Sequence, residues 1–185
     1  MTNFIALLRA INVGGTGMLP MMELSALCTD LGFENVRTYI QSGNVVFRTR
    51  RRDLETLANE IRSAIGAETG HPVTVVLRTA RELAQVVGSN PFMDGRDPRT
   101  LHVTFLAQSP DPIRIAAIAP AIALPDEFRG VGQEVFVACP NGYGRTTLNN
   151  AFFERRLGVA ATTRNWRTVT MLARMAGADD DAPGE

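Results

Sequence analysis

The chain has 185 residues, 45% of them hydrophobic, and its 19 basic side chains balance 19 acidic ones. Every basic residue is arginine, which excludes Schiff-base lysine chemistry and a P-loop lysine, so an anion site must use guanidinium forks, backbone N–H groups or hydroxyls. Two histidines and two distant cysteines, Cys28 and Cys139, give no zinc spacing; no cofactor motif is present, and neither a metal nor a cofactor is expected.

The N-terminus, Met1-Thr2-Asn3-Phe4, lacks a basic leader, and no apolar run reaches membrane-spanning length, so a cytoplasmic protein without a membrane partner is expected. Phe4–Leu8 is a continuous apolar run that suits a central strand ending at Arg9. Gly14, Gly15 and Gly17 form a flexible loop, and Pro20 can open the helix carrying Leu24, Leu27, Cys28 and Leu31, which Gly32 closes. Val36–Ile40 and Val45–Phe47 are β-rich, with Ser42-Gly43-Asn44 as the turn between them. Asp53 caps a helix with Leu54, Leu57, Ala58, Ile61 and Ile65 on one face, and Val73–Leu77 is a further strand. The order β-α-β-β-α-β is the ferredoxin-like split pattern.

Thr79-Ala80-Arg81-Glu82 reads as a capping box, and the proline-bearing loop from Asn90 separates two halves. The pattern then starts again: a strand at Leu101–Leu106, a helix opened by Asp111-Pro112, strands at Phe128–Val131 and Glu134–Ala138, and a helix capped by Asn149 or Asn150. Thr162 or Thr163 is expected to cap the last helix, with Trp166, Val169, Leu172, Ala173 and Ala176 on its core side and Arg164, Arg167 and Arg174 on the other. A final strand in this half is not evident. The reading is an α+β protein of two ferredoxin-like (α/β-plait) halves packed together, residues 1–88 and 89–177, with a C-terminal helix. The acidic segment 178–185 is expected to be disordered.

Few segments could carry chemistry. Gly14-Gly15-Thr16-Gly17 lies where N–H groups could meet a phosphate, but its spacing fits neither nucleotide fingerprint, and an ordinary flexible connection is the better reading. Tyr39 to Asn44 reads first as a hairpin turn, and otherwise as polar contacts from Tyr39, Ser42 and Asn44. In Asn141-Gly142-Tyr143-Gly144-Arg145 a turn explains the glycines but not the arginine, and Tyr143 with Arg145 could clasp a planar or anionic group. His102 within a strand reads as a satisfied half-buried histidine, and Arg50-Arg51-Arg52 as a solvated loop.

The segments Ala6 to Gly15, Thr38 to Phe47, Asn90-Pro91-Phe92, Gly142-Tyr143-Gly144-Arg145 and Thr163-Arg164-Asn165-Trp166, taken in order, resemble the domain-of-unknown-function family 1697 of bacterial proteins. The resemblance implies two plait-like halves and names no reaction. This chain has Thr16-Gly17-Met18-Leu19 and Thr146-Thr147 where that family often carries a basic residue. The expected site binds a small polar or anionic ligand through Arg9, Asn12, Gly14, Gly15, Tyr39, Ser42, Gly43, Asn44, Tyr143, Arg145, Arg164 and Asn165, near or between the halves. A metal-independent enzyme of unknown reaction and a weak nucleic-acid binder are the alternatives.

Overall fold

The computed structural model describes residues 1–9, 11–12, 18–41, 43–118 and 124–177. Gly14, Gly15, Ser42 and the acidic segment 178–185 lie outside them. The chain divides into two compact units, one of residues 1–85 with 171–185 and the other of residues 86–170.

In the first unit, β1 (Thr2–Arg9), α1 (Met21–Asp30), β2 (Glu34–Thr38), β3 (Asn44–Thr49), α2 (Leu54–Thr69) and β4 (Thr74–Thr79) follow in order, and α3 (Ala80–Gly88) begins there. The sheet runs β2-β3-β1-β4, with β1 antiparallel to β3 and β4. This is the strand order of a split β-α-β. β1 is central because Phe4 to Leu8 has no polar side chain to turn outward, and both of its faces are buried. Phe4, Ala6 and Leu8 pack with Leu24 and Cys28 of α1 and Leu57, Ile61 and Ile65 of α2. Asp53 caps α2 by accepting from the N–H groups of Glu55 and Thr56. Thr79 and Glu82 form the reciprocal capping box: Thr79 N donates to Glu82 Oε2 (2.7 Å) and Glu82 N to Thr79 Oγ1 (3.1 Å).

The second unit repeats the plan with β5 (Leu101–Leu106), α4 (Pro112–Ile118), β6 (Glu127–Val131), β7 (Glu134–Ala138), α5 (Asn150–Leu157) and β8 (Ala161–Asn165). Its sheet order is β6-β7-β5-β8, again antiparallel throughout. Leu106, Val135, Val137, Phe153, Leu157 and Ala161 form its core beneath α4 and α5. Asn149 caps α5 through the Phe152 N–H (3.0 Å), and Arg114 donates to the Leu157 carbonyl (3.4 Å) at the other end of that helix. The C-terminal helix α6 (Trp166–Gly177) starts in this unit and ends in the first. There Asn3 donates to the Ala176 carbonyl (2.9 Å) and Arg37 to that of Met175 (2.6 Å). Two donors thus occupy carbonyls that the last turn of a helix leaves open.

Two elements differ from the sequence reading. β2 covers Glu34–Thr38 rather than Val36–Ile40, because its pairing with β3 begins at Glu34 opposite Arg48 and Ile40 (φ +49°) has left extended geometry. Ala161–Asn165 forms strand β8, so Thr162 and Thr163 lie in a sheet instead of capping α6. Every residue from Ala161 to Asn165 pairs with β5, and that non-local ladder outweighs the local capping preference. Arg164 therefore belongs to a strand and does not share a helix face with Arg167 and Arg174. Trp166 is buried, as its phase with Val169 and Leu172 predicts.

Candidate functional site

The polar residues singled out above fall into two groups, one in each unit. In the first unit, Arg9 ends β1 opposite Thr74, half-buried. Asn12 (φ +54°) accepts from the Leu19 N–H at 2.7 Å and donates to the carbonyls of Leu19 at 2.8 Å and Gln41 at 3.2 Å. One side chain thereby ties the start of α1 to the β2–β3 turn. Asn44 is fully buried at the start of β3. Its amide donates to the Tyr39 carbonyl (3.0 Å), while Tyr39 N donates to the Asn44 carbonyl (3.0 Å). Gly43 sits at φ +71° and its carbonyl accepts from Leu8 N (2.8 Å). A Cβ there would lie 2.5 Å from Ile11 Cγ2 and 2.8 Å from Leu8 Cβ, so the turn is pressed against β1 at a place only glycine fits. The structure brings Asn12, Tyr39, Gly43 and Asn44 together at one end of the sheet, and their described bonds hold loops to strands.

In the second unit, Arg164 lies on β8 opposite Val103, buried. It donates to Thr162 Oγ1 (2.8 Å) and the Thr163 carbonyl (2.9 Å), and loss of hydration pulls its pKa down to about 10. Asn165, the last residue of β8, is exposed and accepts from the Thr168 N–H at 2.8 Å, so it caps α6 in place of the expected threonines. Neighbours on a strand point to opposite faces. Arg164 and Asn165 consequently diverge.

Tyr143 and Arg145 lie in the connection from β7 to α5. Gly142 (φ +90°) turns the chain and donates to the Cys139 carbonyl at 2.9 Å. Residues Tyr143–Arg145 then form one 3-10 turn, closed by Arg145 N to Gly142 O (3.1 Å) and Thr146 N to Tyr143 O (3.3 Å). The Tyr143 ring stacks on His102 of β5, with centroids 4.6 Å apart and planes 26° apart. His102 is opposite Asn165 in the ladder, so the stack sits where β8 ends. His102 Nδ1 is 3.3 Å from the Thr100 carbonyl, and burial lowers its pKa below 6.5, so the ring is neutral at neutral pH. Burial pushes the Cys139 thiol up to about 11 and that of Cys28 to about 12, which rules out a ready thiolate at either. Arg145 is exposed on the outside of the turn.

Sequence reasoning passed over His102 as a neighbour of Tyr143. The alternation of β5 shows which face His102 takes, but the stacking partner comes from a connection folded back by Gly142. Among the described residues there is no cluster of three or more metal-ligating side chains, and no helix long and apolar enough to cross a membrane.

Two four-stranded antiparallel sheets, each with its helices and the same split β-α-β order, define an α+β protein of duplicated plait architecture. The chain belongs to the family described as "Protein of unknown function (DUF1697)", whose model matches residues 1–136. The solved structure of the conserved bacterial protein SP0830 from Streptococcus pneumoniae is similar, with a TM-score of 0.77 and 22% identity over 96% of this chain and 99% of that one. That similarity carries the fold alone. No curated protein matches this chain.

Proposed function

We propose that the protein binds a small anionic ligand, and that the contact lies on the β7–α5 connection of the second unit. The observation that carries this reading is the exposed Arg145 on a 3-10 turn whose inner side is fixed by the Tyr143–His102 stack. A guanidinium offers five donors in a planar fork matched to carboxylate or phosphate, and a turn tied down on its inner side presents that fork at a defined place. The other polar residues of this unit support a narrower site than the sequence suggested. Arg164 is turned into the buried sheet and Asn165 serves as a helix cap.

The two units provide an internal comparison. In the first, the corresponding connection from β3 to α2 needs only residues 50–53, and its Arg51 is tied to Glu60 at 2.7 Å. In the second, residues 139–149 fill the same step. Chain length beyond what the fold requires tends to carry function.

The test is a thermal-shift screen of anionic metabolites on the wild-type protein and on Arg145→Ala. A ligand at 100 times its Kd stabilises the native state by about 2.7 kcal/mol. A compound that raises the melting temperature of the wild type but not of the variant supports the reading. A panel without such a compound, or shifts that persist in Arg145→Ala, defeats it.

A further inference from the structure

The two glycines flanking Tyr143 have different causes. Gly142 has φ +90°, a backbone conformation that side-chain-bearing residues rarely adopt, so the turn itself demands it. Gly144 has no positive φ, and a Cβ built on it meets no described atom within 4 Å. Neither backbone geometry nor packing calls for glycine at 144. Glycine also loses more conformational freedom on folding than alanine, so its presence there works against stability.

Successive side chains of a 3-10 turn project about 120° apart. Tyr143 takes the inward direction, against His102, which leaves Gly144 and Arg145 to share the exposed side. The outer surface of the turn is therefore bare backbone at Gly144 next to the guanidinium of Arg145.

We infer that Gly144 is kept free of a side chain for the ligand and not for the fold: an oxyanion, carboxylate or phosphate, held by Arg145 seats directly against the Gly144 backbone. This rests on the ligand reading above and adds to it the residue that sets how closely the ligand approaches. A methyl group at 144 costs the free protein nothing but fills the first layer of space that the anion would occupy.

The experiment compares the full-length wild type, Gly144→Ala and Arg145→Ala by 1H–15N spectra, titrated separately with inorganic phosphate and with citrate to distinguish the two oxyanion sources. Saturable shifts of the Gly144 and Arg145 amides are expected in the wild type with at least one of them. Gly144→Ala should weaken that anion by at least about fivefold, with an otherwise unchanged spectrum and a melting temperature no lower than the wild type's. Arg145→Ala should abolish saturation. Weakening of less than fivefold in Gly144→Ala, with binding lost in Arg145→Ala, overturns the role of Gly144 and leaves the ligand site standing. Absence of saturable shifts in the wild type with both anions overturns the site and this inference together.

Discussion

Replacing Gly43 with alanine tests how rigidly the β2–β3 turn is pressed onto the central strand. The new Cβ would stand 2.5 Å from Ile11 Cγ2 and 2.8 Å from Leu8 Cβ. Restoring ordinary contact needs movements of about 0.6–0.9 Å. Leu8 cannot give way cheaply. Its Cβ is fixed to the central strand, it is 1% exposed, and its own N–H is bonded to the Gly43 carbonyl. Overpacking of this kind costs about 1–3 kcal/mol, and holding alanine at φ +71° adds roughly 1–2 kcal/mol. The loss of unfolded-chain freedom returns about 0.4–1 kcal/mol, for a net destabilisation of about 1–5 kcal/mol. Urea unfolding followed by circular dichroism measures it. Gly144→Ala is the matched control, because the same methyl group is added where nothing stands in its way. The reasoning fails if Gly43→Ala unfolds within about 0.5 kcal/mol of the wild type, or if the two variants are destabilised alike.

Three further outcomes follow from the same bonds. Ile40 is a half-exposed β-branched residue at φ +49°, so Ile40→Asn should stabilise the protein by roughly 1 kcal/mol, read as a higher urea midpoint at unchanged slope. Asn165→Ala removes the cap on the Thr168 N–H and should cost about 0.5–2 kcal/mol, whereas Asn165→Asp should retain most of the stability; equal losses in both variants would show that the cap is not what Asn165 contributes. For His102 the folded pKa is lowered, so the unfolded chain binds the proton first. The stabilisation from burying a neutral ring is complete above about pH 6.5 and declines as the pH falls from there toward the folded value. Urea midpoints between pH 7.5 and 5 should therefore drop more steeply in the wild type than in His102→Phe, and parallel profiles would count against the assignment.

The local devices of the fold were legible because they are written within a few residues of each other. The Thr79–Glu82 box, the Asp53 and Asn149 caps and the apolar face of α2 each need only their own neighbourhood. β8 was not legible, since Thr162-Thr163 satisfies a cap rule as well as a strand rule, and only the distant partner β5 decides between them. The end of β2 was missed for a related reason. Isoleucine at 40 carries high strand propensity, yet its backbone is turned out of the ladder.

The candidate site shows the corresponding limit for chemistry. Asparagine in a turn can serve a ligand or its own backbone, and the residue type is the same in both cases. Asn12, Asn44 and Asn165 all prove to hold carbonyls or N–H groups of their own chain. Glycine carries a similar ambiguity: the clash at Gly43 assigns that residue to the fold, whereas the open space at Gly144 gives no packing reason for glycine there. Polar turn residues in a small duplicated fold should therefore be assigned to structure until their bonds are counted. Of the candidates in the second unit, Arg145 stays exposed, next to Gly144 and backed by the Tyr143–His102 stack. It lies on a connection that the first unit completes with residues 50–53 alone.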